Sequence, residues 1–105
     1  MFTFIELLGF SKRRRDLLSD DEFTAFQELL IEAPETGAII TGTGGFRKIR
    51  WSRPGMGKRG GVRVIYYYIT GEGRIYLALV YPKNEQDELS QEQKKALKQL
   101  SDMLV

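Results

Sequence analysis

Val62-Arg-Val-Ile-Tyr-Tyr-Tyr-Ile-Thr-Gly-Glu-Gly-Arg-Ile-Tyr-Leu-Ala-Leu-Val-Tyr81 is the stretch that decides the fold. Both halves are β-branched and aromatic, a composition that suits a pleated, half-buried surface. Between them Thr70-Gly-Glu-Gly73 offers a tight turn. The pattern predicts two partnered strands, Val62–Thr70 and Arg74–Tyr81, with Pro82 ending the second. Side chains along a strand alternate, so Tyr66, Tyr67 and Tyr68 point in turn to opposite faces and at least one belongs to the core.

Working outward, Phe46 to Ser52 reads as a further strand. Phe46, Lys48 and Arg50 share one of its faces, and Arg47, Ile49 and Trp51 the other. Arg53 to Gly61 holds four glycines and a proline and is expected to be a hairpin connection. Gly37 to Gly45 reads as a loop anchored by Ile39-Ile40. Nearer the start, Phe2-Thr-Phe-Ile-Glu-Leu7 predicts a short strand with Phe2 and Phe4 on one face. Phe10 to Leu18 predicts a short helix that carries Lys12-Arg-Arg-Arg15, a solvated face or an extension of the basic surface. Ser19-Asp-Asp-Glu22 is a capping box; Phe23, Phe26, Leu30 and Ala33 then recur at helical spacing until Pro34. Ser90-Gln-Glu-Gln93 repeats the capping pattern before a closing amphipathic helix, whose apolar face is Ala96, Leu97, Leu100, Met103 and Leu104. These elements add up to a small α+β domain: a largely antiparallel twisted sheet with two N-terminal helices and one C-terminal helix.

With 105 residues, 42% of them hydrophobic and 29% charged, the chain is expected to be one globular domain. It has no cysteine, which removes disulfides, thiolate nucleophiles and zinc–thiolate sites, and no histidine, the usual general base and metal ligand. No metal and no cofactor are expected. No apolar run approaches a membrane span, and Met1-Phe-Thr-Phe-Ile-Glu6 lacks the basic leader of a signal peptide, so a cytoplasmic address is expected.

The net charge of +2 conceals a polarised chain. From Thr36 to Gly71 there is no acidic residue, while Arg47, Lys48, Arg50, Arg53, Lys58, Arg59 and Arg63 all fall there. A basic patch interleaved with Phe46, Trp51, Tyr66 to Tyr68 and Tyr81 suits a nucleic acid, whose phosphates meet the cations and whose bases stack on rings. A solvated basic surface is the plain alternative. Arg63 is harder to explain that way, because a charge between valines on a central strand costs energy unless it is partnered.

The order of elements, with Gly44-Gly-Phe-Arg-Lys-Ile-Arg50, Gly57-Lys-Arg-Gly-Gly-Val-Arg-Val-Ile-Tyr-Tyr67 and Tyr81-Pro-Lys-Asn-Glu85, resembles the RelE/HigB superfamily, the toxins of bacterial type II toxin–antitoxin pairs. It is most similar to the HigB-like branch and the likeness spans nearly the whole chain. The resemblance implies a ribosome-dependent endoribonuclease that cuts mRNA, with the ribosome and a cognate antitoxin as partners. The family's lysine-rich strand falls on Lys48 and Arg50, the arginine opening its next strand on Arg63, and its basic segment after the last strand on Lys83-Asn84. Many relatives carry a tyrosine at the start of the last helix or a histidine nearby; Ser90 stands at that position here, so the resemblance assigns no general base.

Internal RNA cleavage requires a base for the 2′-hydroxyl, an acid for the leaving 5′-oxygen and cations against the phosphorane charge. Arginine suits the last role because its fork grips two phosphate oxygens. Lys48 and Lys58, adjacent to Arg47 and Arg59, meet the like-charge condition that lowers a lysine pKa. Tyr81 or Tyr66 offers a hydroxyl or a stacking face. The candidate catalytic set is therefore Lys48, Arg50, Arg63, Tyr81 and Lys83, with Arg47, Lys58, Arg59, Tyr66 and Asn84 as RNA or ribosome contacts. The rival readings are a non-catalytic ParE-like toxin that binds DNA gyrase, and a plain nucleic-acid-binding module.

Overall fold

The computed structural model describes residues 2–52 and 61–104. The elements run β1 (Thr3–Glu6), α1 (Leu8–Leu17), α2 (Asp20–Glu32), β2 (Ala38–Ile39), β3 (Arg47–Trp51), β4 (Val62–Ile69), β5 (Arg74–Pro82) and α3 (Gln91–Leu104). The β4–β5 hairpin is the middle of a five-stranded sheet ordered β1-β5-β4-β3-β2. Pairing is antiparallel throughout except for β1, which lies parallel to β5. No helix among the described residues is long and apolar enough to cross a membrane.

Two cores lie on the two faces of this sheet. Phe10 of α1, Leu18 at its C-cap, and Phe23, Phe26 and Leu30 of α2 pack on Val62, Val64, Tyr66, Ile75, Leu77 and Val80. Fully buried side chains of this size contribute about 1.5–3 kcal/mol each. On the reverse face, α3 seats Leu97 against Phe46, Ile65, Tyr67, Ala78 and Tyr81. Gly44 keeps this helix close: it adopts φ 75°, and a Cβ there would collide with Ser101 Oγ.

A β-bulge decides which way the end of β5 faces. Ile65 pairs with Leu79 but Tyr66 pairs with Leu77, so Ala78 is an extra residue on β5. Ile75 and Leu77 belong to the α1–α2 core, whereas Ala78 and Tyr81 belong to the α3 core. Strict alternation would have put Tyr81 on the same face as Ile75 and Leu77. The bulge re-aims it to the other side.

Both capping boxes form. Ser19 Oγ accepts from the Glu22 amide at 3.1 Å while Glu22 accepts from the Ser19 amide at 2.7 Å. Ser90 and Gln93 make the same exchange at 3.1 and 2.9 Å. Other details differ from the sequence reading. The first helix starts at Leu8 rather than Phe10. Ala38–Ile39, expected within a loop, pairs with Arg47 and Lys48 as an edge strand, leaving Ile39 60% exposed. Only Ile40 of that apolar pair reaches a core. Met103 is 80% exposed, and Ser101 is buried on the inner face of α3 instead, because α3 approaches the glycine turn too closely for a long side chain. Pro82 is the last rung of β5, opposite Val62.

Candidate phosphate-binding face

The cationic face is a product of strand register. Arg50 on β3 stands opposite Arg63 on β4, and Arg63 stands opposite Tyr81 on β5. One pair along, Lys48 is opposite Ile65, a member of the α3-side core. Residues directly opposite one another share a face, so Lys48, Arg50, Arg63 and Tyr81 all stand on the α3 side of the sheet. They form a gradient from exposed rim to buried floor. Arg50 is exposed and Lys48 intermediate, whereas Arg63 and Tyr81 are each only 4% exposed.

The floor is chemically incomplete. Arg63 Nη1 and the Tyr81 hydroxyl are buried without a hydrogen-bond partner among the described residues. Arg63 Nη2 lies 4.0 Å from Asp87 Oδ1, at the outer limit of an ion pair. A buried guanidinium is costly unless its donors and charge are matched. Burial pushes the Tyr81 phenol above its ordinary range, against the opposing pull of the Arg63 charge. The phenol is therefore neutral at pH 7, a proton donor. With so little exposure it presents no ring face for a base to stack on.

Lys83 and Asn84 follow β5 directly, two and three residues after Tyr81, and are exposed. Arg47 and Tyr66 are not brought to the cationic face. They are cross-strand partners on the α1–α2 side. Arg47 Nη1 donates to the Glu35 and Gly37 carbonyls at 3.0 and 2.8 Å. Tyr66 is fully buried; its hydroxyl donates to the Pro34 carbonyl at 2.9 Å and accepts from the Gly37 amide at 2.8 Å. Together they fasten the α2–β2 connection to the sheet. The Arg47 charge expected beside Lys48 thus sits across the sheet, and Glu88 Oε1, 3.5 Å from Lys48 Nζ, is the charge Lys48 meets. Lys58 and Arg59 lie outside the described residues. Ser90 uses its hydroxyl as a helix cap.

Sequence reasoning passed over Glu85, Asp87 and Glu88 between β5 and α3, of which Asp87 and Glu88 lie against Arg63 and Lys48 of the cationic face. Glu85 takes a two-point hydrogen bond from Arg13 of α1 at 2.8 and 2.7 Å. A signal was present: Glu85, Asp87 and Glu88 fall within four residues, shortly after the strand that carries Tyr81.

Fold and face define a small α+β protein that gathers buried and exposed cations on one side of its sheet. Residues 30–105 match the family described as "RelE toxin of RelE / RelB toxin-antitoxin system", and the chain belongs to that family. Among solved structures it is similar to the isolated RelE toxin of E. coli, at 20% identity and TM-score 0.56, covering 95% of this chain and 99% of that one. It is also similar to a chain of the intact E. coli RelBE toxin–antitoxin complex, at 19% identity and TM-score 0.55, covering 76% and 94%. At these identities the likeness is one of fold.

Proposed function

We propose that this protein is the toxin of a type II toxin–antitoxin pair and a ribosome-dependent endoribonuclease. It cuts mRNA in the cytoplasm, so inhibiting translation, and is neutralised by a cognate antitoxin. The observation that carries the reading is the buried pair Arg63–Tyr81, whose free donors share one face with Lys48 and Arg50. Family membership supports the toxin role, and the RelBE complex supports an antitoxin partner.

In this reading a scissile phosphate settles on the floor of the face. Arg63 directs donors at the non-bridging oxygens, where charge grows as the 2′-oxygen attacks phosphorus. The 2′-oxygen–phosphorus bond forms, the 2′-hydroxyl proton passing to solvent, as the bond to the 5′-oxygen breaks and that oxygen takes up a proton, giving a 2′,3′-cyclic phosphate and a 5′-hydroxyl. Tyr81 is a hydroxyl donor for the phosphate or the leaving oxygen, being neutral and next to Arg63. Lys48 brings an amine to the open side, and Arg50 and Lys83 hold the neighbouring phosphates. Because orientation supplies several kcal/mol, a sparse site of this kind works best on a strand already held in place, which is the ribosome's part. Inducing the protein in a bacterium and mapping mRNA 5′ ends tests the proposal. In-frame cuts inside translated regions are expected; intact mRNA with gyrase trapped on the chromosome would replace it with the ParE-like reading.

A further inference from the structure

The segment from Glu85 to Glu88 ties one acid to each of three elements. Glu85 is held at two points by Arg13 of α1, Asp87 Oδ1 lies 4.0 Å from Arg63 Nη2 of β4, and Glu88 Oε1 lies 3.5 Å from Lys48 Nζ of β3. The ends are firm. The Glu85 amide donates to the Pro82 carbonyl at 3.1 Å, and Leu89 is buried beside the capped start of α3. The middle is loose: the Asp87 and Glu88 side chains are 77% and 74% exposed, and their ion pairs are long. At these distances the exposed carboxylates hold their cations only weakly, so several phosphates acting together displace them. The two cations they meet are the floor and the rim of the phosphate face.

We infer that Asp87 and Glu88 are specificity-determining residues, a built-in counter-anion that a phosphate chain must displace to reach Arg63 and Lys48. The inference rests on the reading of this face as the RNA-phosphate site. An isolated anion meets one occupied cation at a time. A strand that brings several phosphates replaces both carboxylates together and gains the exposed charges of Arg50 and Lys83. The acidic pair thus selects for chain-like polyanions and restrains the free protein from binding small ones.

The test is binding of a 2′-O-methylated 12-nucleotide oligouridylate, which cannot be cleaved by the internal route, followed by fluorescence anisotropy at low salt. Asp87→Asn/Glu88→Gln alters only exposed side chains and keeps their shape, so the fold is retained. The control Glu28→Gln/Glu32→Gln makes the same change of net charge on the far side of α2, where both residues are exposed. The loop variant is expected to bind about tenfold more tightly than the natural chain, from loss of two competing ion pairs. The control is expected to gain less than about threefold from its long-range field alone, and adding Arg63→Ala to the loop variant should remove most of the gain. An equal gain in the control, or none in the loop variant, overturns the inference. The mRNA mapping above reads out separately: cuts without a gain in the loop variant sink this inference alone, and a gain without cuts sinks the endoribonuclease reading alone.

Discussion

Arg63 of β4 and Tyr81 of β5 stand opposite each other in the antiparallel ladder, and each buries a polar atom that has no partner among the described residues. Two such groups side by side are a poor arrangement for stability, since each forgoes its hydration without a matching hydrogen bond. The sheet maintains them there through the bulge at Ala78, without which Tyr81 would face the α1–α2 core. Stability given up at one place in the core, on the face that also gathers Lys48 and Arg50, is what a preorganised anion site requires.

Tyr81 and Tyr66 should respond oppositely to loss of the hydroxyl. Tyr81→Phe removes an unpartnered hydroxyl, so stability should hold or rise by up to about 1 kcal/mol, while mRNA cleavage falls by at least about tenfold. Tyr66→Phe strips the Gly37 amide and Pro34 carbonyl of their partner and should cost about 1–2 kcal/mol, with cleavage per folded molecule unchanged. Denaturant titration and a cleavage assay on both variants separate the roles; loss of activity in Tyr66→Phe at equal folded fraction would contradict them.

Gly42 and Gly44 both have positive φ, 85° and 75°, but only Gly44 faces α3. Gly42→Ala should cost only the left-handed backbone term, about 1–2 kcal/mol. Gly44→Ala should cost clearly more, because Ser101 and Lys98 must move away. Equal urea midpoints for the two variants would show that α3 is not locked by this turn.

Acid should loosen the molecule at two ion pairs. The Arg13 guanidinium holds the Glu85 carboxyl below its ordinary range, and Arg14 does the same to Asp20. Both folded-state values are depressed, so their contribution is complete above the usual carboxylate range and disappears as pH falls through the lowered values. Urea midpoints should be flat from neutrality to about pH 5 and fall below about pH 4. Glu85→Gln/Asp20→Asn should fall less steeply there; an identical slope would contradict the assignment.

Much of this architecture is legible in the residues because its signals are local. The β4–β5 hairpin, both capping boxes and the Phe23, Phe26, Leu30 stripe each depend on neighbours within a turn or two. Ala38–Ile39 is a strand only because Arg47 and Lys48 lie beside it, and two residues carry no periodicity of their own. The bulge at Ala78 likewise exists only in the pairing. On the site, alternation within β3 puts Lys48 and Arg50 on one face, but that Arg63 and Tyr81 share it follows only from the pairing register. Tyr66 is hidden from sequence as a buttress because its partners at Pro34 and Gly37 are some thirty residues away in the chain. The acids of Glu85 to Glu88 meet cations on three separate elements, which no spacing discloses.

The most direct test is the cleavage rate of Arg63→Ala on purified ribosomes carrying a defined mRNA, read by primer extension beside a thermal unfolding curve. Cleavage should fall by roughly 10²–10³-fold, as when one preorganised donor to a developing oxyanion is lost. The unfolding midpoint should stay level or rise, because an incompletely matched buried charge has gone. Arg63→Ala that is folded and cuts mRNA at the rate of the natural chain would contradict the account.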